Sequence, residues 1–219
     1  MKRALFGLLM LLALPAAAWI TFESPPAASL EWVAEDMVFN GLAMRVQFFR
    51  GKAAPTDVLA FYRQRWSEGG KRQYVENTVG PWKTISRASG DYFLTAQIRP
   101  AAGGGSEGYL SQRPVKLAPR PVLGQGFNLP SGSEVVNDIL SQDGERRGRT
   151  LLAFNGQTVD ANASFFRDSL PQEGWTLVGE GRARDGGRQM VLRQGRDELS
   201  LAMTAKGGRT AVGATLVRH

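Results

Sequence analysis

The chain has 219 residues, of which 42% are hydrophobic and 21% charged, with five Trp and eleven Phe; this composition suits packed cores and excludes general disorder. It has no cysteine, which excludes disulfides, thiol chemistry and cysteine metal sites. The formal charge is +7, but Asp and Glu are interspersed throughout and no long basic run exists, so basicity alone singles out no nucleic-acid or lipid partner.

The N-terminus reads "MKRALFGLLMLLALPAAAW". Lys2 and Arg3 form a positive start, Leu5 to Leu14 an apolar run, and Ala16-Ala17-Ala18 a small-residue cleavage site after Pro15. This is the layout of a secretory signal peptide covering 1–18. The rival reading is an uncleaved membrane anchor over 4–22, which contains no charge and is just long enough to span a bilayer. Pro15 and the alanines favour cleavage. Either way the rest of the chain is expected outside the cytoplasm, as a periplasmic protein or one held in the inner membrane facing the periplasm.

Residues 30–112 read as a first α+β unit. "EDMVFNGLAMRVQFF" predicts a hairpin around the Asn40-Gly41 turn pair. Pro55 and Asp57 open a helix whose Leu59, Tyr62 and Trp66 share a face, and Gly69-Gly70 ends it. Four strands follow in "RQYVENTV", "WKTISRAS", "DYFLTAQIR" and "GYLSQRPV". Residues 113–132 are rich in Pro and Gly and read as an interdomain linker. The alternative is a peptide ligand, since Pro119-Arg120-Pro121 is extended and basic.

Residues 133–219 repeat the plan. A second hairpin is expected at Asp143-Gly144 with a longer loop, and Asp138 aligns with Asp36, a structural role being expected for both. Thr158 is the expected N-cap of a second helix, with Ala163, Phe166 and Leu170 as its stripe and Pro171 as its stop. Strands follow in "WTLVGEGR", "RQMVLRQG", "ELSLAMTA" and "TAVGATLV". "FYRQRWSEGG" at Phe61–Gly70 and "FFRDSLPQEG" at Phe165–Gly174 are the clearest echo between the units. Arg87 and Asp91 match Arg193 and Asp197, but at that offset the apolar alternation falls out of phase. Alternation decides which face is buried, so the hairpin turns are expected to differ by one residue. The expected fold is α+β: a tandem duplication of a mostly antiparallel sheet packed by one helix per repeat, ββαββββ, behind the signal or anchor.

Catalytic groups are sparse. The one histidine is His219, at the end of the chain, so no histidine-based triad or His/Cys metal cluster is expected. No phosphate-binding loop or EF-hand occurs. Glu35-Asp36 and Asp197-Glu198 are adjacent on expected strands and point to opposite faces, which argues against a carboxylate-based cell-wall hydrolase. The expectation is no enzyme, no cofactor and no metal. Arg146, Arg147 and Arg149, placed on the second hairpin loop, and Arg182, Arg184 and Arg188, around the Asp185-Gly186-Gly187 turn, are the candidate binding residues; they would meet anionic lipid or polysaccharide. Trp66, Trp82, Trp175, Phe61, Tyr62, Phe165 and Phe166 are assigned to cores. Asn162-Ala163-Ser164 fits a glycosylation sequon but falls inside the second helix, so it is read as incidental. The functional expectation is a non-catalytic envelope protein binding a protein partner, as an assembly or accessory component of a secretion or pilus system, with no nucleic acid involved.

Overall fold

The computed structural model describes residues 19–68, 70–116 and 121–219. The signal-peptide reading, most of the anchor reading, and Pro119 and Arg120 lie outside these residues. The first half comprises β1 (Ala28–Phe39), β2 (Leu42–Gly51), α1 (Pro55–Arg65), a two-residue ribbon of β3 (Ser67–Glu68) and β4 (Lys71–Arg72), then β5 (Val75–Val79), β6 (Trp82–Ser89), β7 (Tyr92–Pro100) and β8 (Ser106–Pro114). The second comprises β9 (Glu134–Asp143), β10 (Arg146–Asn155), α2 (Val159–Ser169), a 3-10 turn over Leu170–Glu173, β11 (Thr176–Arg182), β12 (Arg188–Gln194), β13 (Asp197–Lys206) and β14 (Arg209–Arg218). Among the described residues no helix is long and apolar enough to cross a membrane.

Twelve strands form one sheet in the order β11-β12-β13-β14-β10-β9-β1-β2-β8-β7-β6-β5, and every neighbouring pair is antiparallel. Short connections between consecutive strands leave antiparallel pairing as the accessible solution. The two halves meet at β1 and β9, which pair over Asp36↔Gln142, Met37↔Ser141, Val38↔Leu140 and Phe39↔Ile139. Read outward from that seam, each half shows the same order: hairpin, last strand, then the remaining strands in reverse.

Both cores lie on one face of this sheet. Directly opposed residues share a face and alternate residues along a strand return to it. Phe49 and Ala43 alternate onto the same side of β2; Ala43 opposes Val38, Val38 opposes Leu140, and Leu140 opposes Arg149, which shares its side of β10 with Leu151. Phe49 is in the first core and Leu151 in the second. α1 buries Val58, Leu59 and Tyr62, with Trp66 at its C-cap, against Ile85, Leu94, Ala96, Ile98 and Leu110. α2 buries Ala163 and Phe166, with Leu170 beyond it, against Met190, Leu192, Leu199, Leu201 and Met203. Each helix is 11 residues long, too short to be stable in water without such burial. Gly108 gives way to this packing: a Cβ there would strike the Gln97 carbonyl and the Phe49 ring.

Several expectations are corrected. The second hairpin has no longer loop: Phe39 opposes Leu42 and Asp143 opposes Arg146, so both turns hold two residues, Asn40-Gly41 and Gly144-Glu145. Asp36 and Asp138 are not equivalent. Asp36 lies closer to its turn and is exposed, whereas Asp138 is buried. The buried alternation is Leu94, Ala96, Ile98 in one half and Leu199, Leu201, Met203 in the other, as the apolar phase required. Yet the β6–β7 and β12–β13 turns are both two residues long; the change of spacing arises before them, where 183–187 form a wider loop than Gly80-Pro81. Trp82 belongs to neither core. It lies on the opposite sheet face, its ring 5.7 Å from Tyr109 with the Arg99 guanidinium 4.6 Å above it.

Two segments outside the strands are also packed. Trp19 lies 5.0 Å from the Tyr92 ring, Ile20 exchanges hydrogen bonds with the Gln112 side chain, and Phe22 is buried against Tyr62 and Trp66. The Tyr62 hydroxyl donates to the Glu23 carbonyl at 2.8 Å. Within the stretch read as a linker, Arg113 and Pro114 still belong to β8, and Phe127 and Leu129 pack against the second core.

Candidate binding surface

The six arginines singled out by sequence fall into two groups separated by β14 and β13. Arg146, Arg147 and Arg149 lie on β10, not on a loop. Arg182 ends β11, Arg188 begins β12, and Arg184 lies in the turn between them. At about 4.8 Å per strand, β10 and β12 are roughly 14 Å apart, so the six do not converge on one ligand.

Three of them are held by carboxylates. Arg149 grips Asp138 through both sides of its fork, Nε to Oδ1 at 2.9 Å and Nη2 to Oδ2 at 2.8 Å. The Gly124 N–H donates to the same carboxylate at 2.8 Å. Burial pushes the Asp138 carboxyl up, but Arg149 and Gly124 outweigh it and hold it below the usual aspartate range. Arg182 and Arg188 both donate to Asp160 in the first turn of α2, each at 2.9 Å. The hydrogen bond from Arg188, helped by Arg182, lowers the Asp160 carboxyl. Arg188 also approaches Glu180, which Arg167 of α2 binds at 2.6 Å. These arginines therefore tie α2 to the β11–β12 ribbon. Arg146, Arg147 and Arg184 form no ion pair among the described residues.

The carboxylate pairs are divided in the same way. Arg193 holds Glu198 at 3.2 Å and Arg218 lies 3.8 Å from Asp197, whereas Glu35 and Asp36 are exposed and unpaired among the described residues. The sequon is no modification site on the folded protein. Asn162 is 0% exposed and its amide is exchanged with that of Asn155, Nδ2 to Oδ1 at 3.0 and 2.7 Å.

Sequence reasoning missed the seam. Asn40, the left-handed turn residue, extends the junction beyond the β1–β9 ladder. Its N–H donates to the Asp138 carbonyl at 2.9 Å, its Oδ1 accepts from the Asp138 N–H at 2.7 Å, and its Nδ2 donates to the Val136 carbonyl at 3.1 Å. The Asn-Gly pair signalled a turn but not that the turn docks on another strand. On the far side of the seam, β1 continues past the end of β9. Among the described residues, those before Asp36 pair with β2 alone, and Trp32 and Val33 there are 47% and 55% exposed. Trp32 precedes the stretch read as the first hairpin, which began at Glu35, and gave no signal of its own.

No known protein family matches the chain, and neither a curated protein nor a solved structure matches it.

Proposed function

We propose that this chain is a non-catalytic, exported bacterial envelope protein that binds another protein, as an assembly or accessory component of a secretion or pilus system. The observation that carries this reading is the sheet's supply of unpaired strand edges: β5 and β11 at its ends, and the early part of β1 at the seam. An unpaired edge offers backbone donors and acceptors to an incoming strand. Two halves arising by tandem duplication would have brought such edges together in one molecule. Supporting duplication are the shared strand order and two ion pairs of equal spacing, Arg63–Glu76 and Arg167–Glu180, each joining the helix to the end strand of its half, β5 or β11. Export rests on the N-terminal charge and hydropathy pattern. A cleaved signal predicts Trp19 as the first residue of the mature form, which N-terminal sequencing would read.

Co-purification from native envelope under mild detergent tests the main reading. It is expected to return a stoichiometric protein partner that resists moderate salt. Recovery of the chain alone, or loss of all association on a modest rise in salt, would overturn it. The latter result would favour anionic lipid or polysaccharide, for which Arg146, Arg147 and Arg184 are the remaining unpaired arginines among the six.

A further inference from the structure

We infer that the outer edge of β1, from Ser29 to Glu35, is a strand-addition site for an extended partner segment that alternates apolar side chains with arginine or lysine. The inference rests on the protein-binding reading above and gives it a place and a chemistry.

Among the described residues the edge is open. β1 begins at Ala28, but β9 meets it only from Asp36 onward. The corresponding stretch of β9 beyond the ladder is closed by Asn40, which engages the Asp138 N–H and carbonyl and the Val136 carbonyl. No described residue does the same for β1. Instead Trp32 to Asp36 face Ser141 to Gly144 of the second hairpin across a cavity of about 500 Å³. An incoming strand would thus have the β1 backbone on one side and the second hairpin at its end.

The side chains at this edge are unlike those of a merely protected edge. Edges are usually guarded by charge, shortness or bulges. β1 does carry irregularities, between Trp32 and Ala34 and between Ala34 and Met37. The first leaves Val33 without a partner on β2. Yet the residues turned out there are Trp32 and Val33, both about half exposed, where protection alone would place charges. Around them the charge is acidic. Glu31, Glu35, Asp36, Asp143 and Glu145 are exposed and form no ion pair among the described residues, with Arg146 and Arg147 as the unpaired cations beside them. A net acidic edge on a chain of charge +7 selects a cationic segment. It also disfavours a second copy, because pairing two β1 edges would set Glu31, Glu35 and Asp36 of each against the other's.

The probe is a fluorescein-labelled, acetylated ten-residue peptide alternating arginine and valine, titrated against the purified protein by anisotropy. Saturable one-to-one binding is expected, with new amide-exchange protection confined to residues 29–35. A peptide of the same sequence N-methylated at alternate amides keeps the charge but loses strand pairing; it should bind at least about tenfold more weakly. The triple variant Glu31→Lys, Glu35→Lys, Asp36→Lys should lose at least about tenfold in affinity for the arginine peptide and gain a glutamate–valine peptide. Absence of binding, equal binding of the N-methylated peptide, protection on β5 or β11 instead, or self-association through residues 29–35 would overturn the inference. The mapping on the unaltered protein stands even if the variant fails to fold. The native co-purification separates the two levels. A partner retained equally by a folded triple variant would sink the β1 site while leaving the protein-binding reading intact. No partner on the unaltered chain would sink that reading, and the peptide mapping alone would then judge the edge.

Discussion

Asn155 and Asn162 form a buried, mutually hydrogen-bonded pair. Both are fully buried, their amides satisfy each other, and the remaining capacity goes to the Gln157 N–H, the Thr158 carbonyl and the Ser133 hydroxyl. Asn162→Ala leaves buried partners unpaired and should cost about 2 kcal/mol in urea unfolding. Asn162 was legible only as a sequon in a helical stretch, because its meaning comes from a strand residue brought beside it. Asp138 gives a pH signature. Its folded carboxyl is held below the ordinary value, so its contribution is complete above the unfolded aspartate value of about 3.9 and is lost as pH falls below it. Asp138→Asn is therefore expected to lower stability at neutral pH and to flatten its acid loss as pH falls below about 4. Melting temperatures across that range would check it. An unchanged acid slope would assign the acid loss to other carboxylates, such as Glu107 between Arg50 and Arg99.

The helices differ in how they begin. Thr158 caps α2 by accepting the Ala161 N–H at 3.1 Å, whereas Ala54 occupies the same place before α1 in extended geometry and accepts nothing with its side chain. Thr158→Ala should cost about 1 kcal/mol, and Ala54→Ser should add about 0.5–1 kcal/mol if its hydroxyl meets the Asp57 N–H. Chemical denaturation of both variants would measure the pair. Elements of this kind were readable because they depend on local chemistry. Period-2 alternation marked β7 and β13, and the 3.6-residue stripe marked Leu59, Tyr62 and Trp66. What escaped was anything needing one element's position relative to another. The arginines of β10 looked like loop residues because their glycine-rich surroundings resemble a longer turn, and Trp82 looked like core because its sequence says nothing about which face the helix covers.

At the scale of the molecule, the two halves are joined by a short ladder. Four residue pairs link β1 to β9, supplemented by the three hydrogen bonds of Asn40, whereas β10 pairs with β14 along nearly its whole length. Residues 19–116 and 121–219, produced as separate chains and mixed at micromolar concentration, are expected to stay apart in analytical ultracentrifugation. Tight association would show that the seam is a strong interface in its own right.

Pro114 ends β8 and, by Gly124, the backbone is already anchored on Asp138, so only a brief stretch of polypeptide spans the gap. A tether of that length confines the two bodies as if each met the other at about millimolar concentration. Under that confinement the junction need only be modest in strength to stay shut.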